Sequence, residues 1–500
     1  MLAAAAGGLC LAFAPFPFRF LALLALVPLF AAIETRGLRR VFLWGWLFGT
    51  LAAACHFWWL WFLIVPVEPV TRVLLNVGVT VLFGYLGLYV GVFALLARRL
   101  GLWTAPLLWP LLEFARATLQ IAFPWNFLGY AMTPWLPFIQ PAALGGVYLV
   151  SAWVVLVNLL LYRLILPLRR PARSRAIVAA GLVLAFALPL GLWRLRTRPL
   201  EDWFTVAVIQ PDVAPDDKGD WDSRERIQAD LLRLTREAAG AKPDLVVFPE
   251  TATLVDVTTS NTIGPALRAL VDSLDLEILT GTPLHDVPRG TWHNGAVLLR
   301  PGEDSIRQRH YKLRLVPFSE KIPYVDELPA LRRIIGTADM GNWDRGRELR
   351  VFDWRKGTLS CLVCYEAIFP DLTREFVRRG SELHVVVTND GWFGRLPGIH
   401  QHAEIAVMRA VETGAPMVRS ANNGISFIID PFGRVLARTN LFRQAVLFGT
   451  VPRPLPPTPY VRRGDWFLRL CLGILLLAAV VRLARRARSK TRRGPTGLSR

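Results

Sequence analysis

Seven apolar runs fill the first 193 residues of this chain, and an eighth covers 466–484. The seven fall at 3–14, 18–34, 40–64, 72–97, 103–122, 137–166 and 176–193. About 20 helical residues cross the ~30 Å of hydrocarbon in a bilayer, and every run after the short first approaches or exceeds that length. The first run has no basic stretch before it, and the second follows directly past Pro15, Pro17 and Arg19. A helical hairpin is therefore expected there rather than a secretory signal. Between the runs the chain reads like a soluble domain. The layout expected is a bundle of about seven helices (1–198), a globular domain (204–455), one further transmembrane helix (466–484) and a basic tail (485–500). Apolar residues make up 53% and charged ones 19%, below the roughly 25% charged of ordinary soluble domains.

The net charge of +20 raises the question of nucleic acid. Its placement answers against it. Arg36, Arg39 and Arg40 follow the second run, Arg98 and Arg99 the fourth, and Arg163, Arg169, Arg170, Arg173 and Arg175 the sixth. The loops near 66–69 and 123–137 hold almost no basic residues. Every second loop is positive, as expected of the cytoplasmic side. The chain then starts inside, the domain after about residue 200 lies outside, and the Arg-rich tail returns to the cytoplasm. Arg194, Arg196 and Arg198 oppose this scheme, but the other placements agree on it. Lysine occurs at six positions only: 218, 242, 312, 321, 356 and 490. A residue that stays Lys in so Arg-rich a chain suggests a need for a compact ammonium.

Strand-like runs rich in β-branched residues occur at 205–210, 244–249, 277–283, 294–300, 358–364, 383–388, 416–420 and 425–430. Helical periodicity appears at 223–239, 262–274, 368–379 and 400–413. Strands without polar alternation are buried on both faces, so helices must cover the sheet in a layered α/β domain.

Cys10, Cys55 and Cys471 lie in apolar runs and read as buried small residues, whereas Cys361 and Cys364 form C-x-x-C on a strand-like run. With no second Cys pair in the soluble region, metal is not expected. Three strand ends carry reactive groups: Glu250 after 244–249, Lys312 after Tyr311, and Cys364 after 358–363. A thiol, a carboxylate and an ammonium can act as nucleophile, general base and oxyanion partner. Residue types alone also suit a core thiol with two surface charges.

The flanking sequence is more specific. FPE at 248–250, HYKLRLVPFSE at 310–320, VCYE at 363–366 and NDGWFG at 389–394 resemble the nitrilase superfamily, marked by a Glu–Lys–Cys triad in an αββα sandwich. FPW at 123–125, HQHAEIAVMRA at 400–410 and RSANNGISFIIDPFGRV at 419–435, with the apolar frame, resemble its membrane-bound branch, the apolipoprotein N-acyltransferases. The resemblance implies a membrane α-helical bundle of about eight spans plus an α/β nitrilase-like αββα sandwich. It implies Glu250 as general base, Lys312 as oxyanion stabiliser and Cys364 as nucleophile. Glu320 and Glu366 would be supporting carboxylates, and Tyr365 would offer a backbone N–H to the oxyanion. Trp221, Asn294 and Pro323 match positions implicated in activity on loops around the site. No cofactor is implied. The implied reaction moves a fatty acyl chain from a phospholipid, through a Cys364 thioester, to the α-amine of a diacylglyceryl-cysteine on an apolipoprotein. The implied location is the bacterial inner membrane, with the domain on the periplasmic face. One departure is Ser319, where the family usually has Gly before the glutamate matching Glu320.

A membrane-bound amidase, with water replacing the amine, is the alternative enzyme; a non-catalytic scaffold is a third class, against which the intact triad speaks. Leu328, Leu331, Ile334 and Ile335 in 321–342 stand near helical spacing, suiting either packing on the sheet or an interfacial lid. His400 and His402 stand at i, i+2, poor spacing for two ligands on one helix face, and read as packing or hydrogen-bonding residues. Glu113 and Arg116 form an intramembrane i, i+3 pair, functional or structural.

Overall fold

The computed structural model describes residues 1–65, 68–165, 187–196, 199–219, 222–303, 305–324, 327 and 343–492. Its N-terminal helices are α1 (Leu2–Leu11), α2 (Val27–Thr35), α3 (Leu38–Phe57), α4 (Pro69–Leu100), α5 (Ala105–Arg116) and α6 (Ala142–Ile165). Among the described residues, four helical stretches are long and apolar enough to cross a membrane: Leu38–Phe62, Pro69–Leu100, Ala142–Ile165 and Trp466–Arg485. The runs at 3–14, 18–34 and 103–122 instead form the 10-, 9- and 12-residue helices α1, α2 and α5, with a 3₁₀ turn at Arg19–Leu23. Each is shorter than the ~20 residues a straight crossing needs. Prolines 15 and 17 separate α1 from that turn, and Pro28 opens α2. The run at 176–193 is described only from residue 187.

Helices α3 and α4 pack through glycines. A Cβ on Gly49 would stand 2.7 Å from that of Val90, and one on Gly87 2.2 Å from the Thr50 hydroxyl. Without a hydrophobic drive between helices in lipid, such close backbone approach holds a bundle together. Helix α6 breaks at Gly145 and Gly146, the latter at φ +71° with the Tyr460 ring 2.8 Å from where a Cβ would sit. The break frees the Val147 N–H, which donates to Glu412 Oε1 at 2.6 Å.

The globular part holds two six-stranded sheets. The first is built from β1 (Asp202–Gln210), β2 (Leu245–Val247), β3 (Glu277–Asp286), β4 (Thr291–Leu299) and β5 (Arg309–Tyr311). The second holds β6 (Val351–Trp354), β7 (Gly357–Val363), β8 (Leu383–Thr388), β9 (Met417–Ala421), β10 (Phe427–Ile429) and β11 (Val435–Arg438). Strand β12 (Ala445–Pro452) returns to pair antiparallel with β1. The order is β12-β1-β2-β3-β4-β5 in one sheet and β11-β10-β9-β8-β7-β6 in the other.

Alternation along each strand makes the layers. Phe204, Val206 and Val208 of β1 face Leu359, Cys361 and Val363 of β7 between the sheets. Ala207 and Ile209 face outward, under Leu231 and Leu234 of α7 (Ser223–Ala239) and Leu267 of α8 (Ile263–Leu274). The second sheet turns Leu362, Val386 and Met417 toward Phe376 of α9 (Pro370–Arg378) and toward Ile405 and Met408 of α10 (Pro397–Thr413). That outer core is continuous with the bundle: Phe57, Trp125, Tyr148 and Phe467 of α11 (Trp466–Arg492) belong to the same cluster. Helix α10 is consequently buried on nearly every side. Arg374 of α9 pairs with Asp465, just before α11, across the junction.

Candidate active site

Glu250, Lys312 and Cys364 come from three strand ends and meet at one end of the sandwich. Glu250 follows β2 at a tight elbow, with Thr251 at φ +49°. Gly281 of β3 allows this, since a Cβ there would stand 2.6 Å from Glu250 Cα. Glu250 Oε1 accepts from Asn294 Nδ2 at 2.7 Å and Lys312 Nζ at 3.4 Å, and Oε2 accepts the Asn389 N–H at 2.8 Å. Lys312 is fully buried and donates to Glu320 Oε1 at 2.8 Å. Burial alone would pull its pKa down, but the charges of Glu320 and Glu250 outweigh that and raise it, so Lys312 stays a cation.

Cys364 directly follows β7 at φ +52°, a left-handed conformation that costs a non-glycine residue about 1–2 kcal/mol. Cys361 lies inside the inter-sheet core, whereas Cys364, past the strained turn, is half-buried and packs at the rim of that same core. Burial and the Glu250 charge push the Cys364 pKa above its ordinary 9.0, against the pull of Lys312. A thiol held protonated beside a carboxylate needs general-base help at the moment of attack.

Glu366 locks this turn. Its Oε2 accepts the Val363 N–H at 2.8 Å and His310 Nε2 at 3.3 Å; its Oε1 accepts the N–H groups of Leu313 at 2.6 Å and Arg314 at 3.3 Å. Burial would raise its pKa, but His310 and these donors lower it overall. One carboxylate thereby ties the cysteine turn to the residues just after Lys312. The Tyr365 hydroxyl donates to the carbonyl of Ala122 in the bundle at 2.7 Å.

Glu320 bridges Lys312, Asn294 and the Val316 N–H. Asn294 lies on β4 rather than on a loop and is buried, with its amide donating to both Glu250 and Glu320. Its contacts are with the two carboxylates that flank Lys312. Pro323 is buried beside Tyr324, whose N–H donates to Gln120 of the bundle at 2.7 Å. Trp221 lies outside the described residues, as does most of the expected lid segment. Where Ser319 departs from the family's glycine, the left-handed residue is its neighbour Phe318 at φ +64°, so the turn does not require glycine at 319.

Two residues acquire a role that spacing did not reveal. His402 Nε2 donates to the Cys364 carbonyl at 3.2 Å, while Nδ1 sits 3.0 Å from Asp390 Oδ1 and 3.2 Å from Arg419 Nη2. Burial and Arg419 lower its pKa, which favours the neutral ring. Trp125 of the bundle stacks on that ring, 5.3 Å between centroids. Lys218 donates to the Glu250 carbonyl at 3.2 Å and to Thr251 Oγ1 at 3.3 Å, its pKa lowered by burial to about 8. The i, i+2 histidine pair and the rarity of lysine were the only signals in the sequence.

The family model described as apolipoprotein N-acyltransferase N-terminal domain matches residues 5–160, and that described as carbon-nitrogen hydrolase matches 205–455. The apolipoprotein N-acyltransferase of Geobacter metallireducens is 36% identical over 475 residues, 92% of this chain and 90% of that protein. This chain belongs to the apolipoprotein N-acyltransferase family. The family member of Chlorobaculum tepidum is 31% identical over 93% of this chain and 92% of its own. Among solved structures, a variant of the nitrilase-superfamily amidase from Nesterenkonia AN1 aligns at 18% identity with a TM-score of 0.41, covering 54% of this chain and 97% of that one.

Proposed function

We propose that this chain transfers a fatty acyl group from a phospholipid to the α-amine of a diacylglyceryl-cysteine at the N-terminus of an apolipoprotein, through a thioester on Cys364. In the first half, Glu250 takes the Cys364 proton as the thiolate attacks the ester carbonyl. Lys312 and the Tyr365 N–H stabilise the oxyanion. Collapse breaks the ester C–O bond, and Glu250 returns the proton to the departing lysophospholipid oxygen. In the second half the amine attacks the thioester, the C–S bond breaks, and Glu250 relays the amine proton to the leaving thiolate. A thioester is activated enough for an amine, so no external energy source is needed.

One observation carries this reading. Tyr365, the neighbour of the nucleophile, is hydrogen-bonded to the membrane bundle at Ala122, and Trp125 stacks on the histidine that holds the Cys364 carbonyl. A site for soluble amides has no use for such coupling, whereas two lipid substrates reach it from the bilayer. We place the chain in the bacterial inner membrane, with the domain on the periplasmic face, from the alternation of arginine-rich loops. Intact-mass spectrometry of protein purified from membranes tests the chemistry. A fatty-acyl adduct on wild type that is absent from Cys364→Ala is expected. Wild type that never carries an adduct and releases ammonia from amides would sink the proposal in favour of the amidase.

A further inference from the structure

The chain just after β1 brings a second lysine to the back of the turn that presents Glu250. Residues 211–219 cross the end of the sandwich and are laced to residues just past β8 and β9. The Asp212 N–H donates to the Asn422 carbonyl at 3.0 Å. The Val213 carbonyl accepts from the side-chain amides of Asn422 at 2.7 Å and Asn423 at 2.8 Å. Pro215 lies 3.2 Å from where a Cβ on Gly391 would sit, and it opens one helical turn, Pro215–Gly219. From that turn Lys218 Nζ reaches the Glu250 carbonyl at 3.2 Å and Thr251 Oγ1 at 3.3 Å.

The turn at 250–251 needs holding. Thr251 stands at φ +49°, where a β-branched residue is a rare and strained occupant. Strand β3 fixes the chain on either side: the Phe248 N–H donates to the Leu279 carbonyl at 2.9 Å and the Ala252 N–H to the Gly281 carbonyl at 3.0 Å. The Glu250 carbonyl falls between those two bonds, and Lys218 is the one donor it meets among the described residues. A buried carbonyl without a donor would be costly. The ammonium has no rival engagement. Asp217 of the same helical turn pairs with Arg226 at 3.1 Å, and among the described residues no carboxylate forms an ion pair with Lys218. Burial lowers its pKa to about 8, with the Glu250 charge pulling the other way, so the cation is held there at a cost.

We infer that Lys218 is a positioning residue for Glu250, clamping the strained turn at 250–251 so that the carboxylate meets the Cys364 thiol. Asn294, Lys312 and the Asn389 N–H hold the carboxylate end of Glu250, and Lys218 holds its backbone end. The inference rests on the acyltransfer reading in giving Glu250 the part of general base.

The test uses the full chain in detergent. Lys218→Met keeps the apolar stem and drops the donors, whereas Lys218→Arg keeps donors and charge. Lys218→Met is also combined with Thr251→Gly, because glycine adopts a positive φ without strain. Two rates are read at the Cys364 peptide by mass spectrometry. One is acyl-adduct formation from phosphatidylglycerol; the other is alkylation by iodoacetamide, which requires the thiolate but no lipid. Lys218→Met should slow both about tenfold and leave donor KM within about twofold of wild type, as expected for a lost hydrogen bond from a charged donor. Lys218→Arg should return to within about threefold of wild type, and the combination with Thr251→Gly should be at least about threefold faster than Lys218→Met alone. Wild-type rates in Lys218→Met protein that melts normally overturn the inference. So does a raised KM with unchanged kcat, which would set Lys218 against the donor lipid, or a double variant as slow as Lys218→Met. Lys218→Gln repeats the measurement should Lys218→Met fail to fold. Wild type that forms no acyl adduct sinks the acyltransfer reading, while the alkylation rates still decide whether Lys218 holds the turn.

Discussion

Glu366 offers the sharpest test of how the cysteine turn is held. In Glu366→Gln the shape is kept, but one carboxylate oxygen becomes an NH₂ that opposes existing donors. Whichever way the amide faces, it loses either the Val363 N–H and His310 pair or the Leu313 and Arg314 N–H pair. A hydrogen bond to a charged acceptor contributes about 1.5–3 kcal/mol, and one strong bond in each pair is lost. If about 3 kcal/mol falls on turn geometry, acylation slows by roughly two orders of magnitude. The assay is time-resolved intact mass of the acyl adduct, run beside thermal melting in detergent. Adduct formation within about threefold of wild type, with unchanged melting, would refute the reasoning, because the turn would then not depend on this carboxylate. Acid dependence gives an independent check. The folded pKa of Glu366 lies below its ordinary 4.5, so its contribution to stability is fully present above that value and is lost as pH falls below it. Glu366→Gln should flatten that acid-side loss of melting temperature.

Lys312→Arg should form adduct at least about a hundredfold more slowly, because a fully buried ammonium packed on two carboxylates leaves no room for a planar guanidinium; near-normal acylation would remove its assigned role. His402→Leu should slow acylation by about tenfold while leaving donor KM unchanged, with His402→Gln partly restoring it through its N–H; equal rates in all three would make His402 a packing residue. Gly146→Ala should destabilise by about 2–4 kcal/mol, combining a left-handed φ with a clash on Tyr460, and is read as a lower melting temperature; an unchanged melt would show that the break in α6 can relax.

Most strands were legible because they are unbroken β-branched runs, and 383–388 falls where expected, but their division into two sheets came from the family resemblance and not from the pattern. Strands β5, β6, β11 and β12 were not. All four lie at sheet edges: β5, β6 and β11 are only three or four residues long, and β12, though it carries the apolar run 445–448, is only partly buried. Hydropathy measures length and composition but not interruption. The turn at Pro15–Pro17 was legible from its prolines, whereas the break at Gly145–Gly146 inside an apolar run was not. The meeting of Glu250, Lys312 and Cys364 was visible through motifs, since each motif fixes a strand end. The part played by His402 was not, because its partners Cys364, Asp390, Arg419 and Trp125 are scattered along the chain and converge only in the fold.

Helix α10 also bears on what can be cut from this protein. One of its faces completes the second sheet and another completes the bundle, so no plane separates the two without opening apolar surface. A fragment of 204–455 would carry α10 with its bundle face bare, and would aggregate rather than behave as a free-standing enzyme. The bundle itself forms part of the wall behind Cys364, through the Ala122 carbonyl and the Trp125 ring.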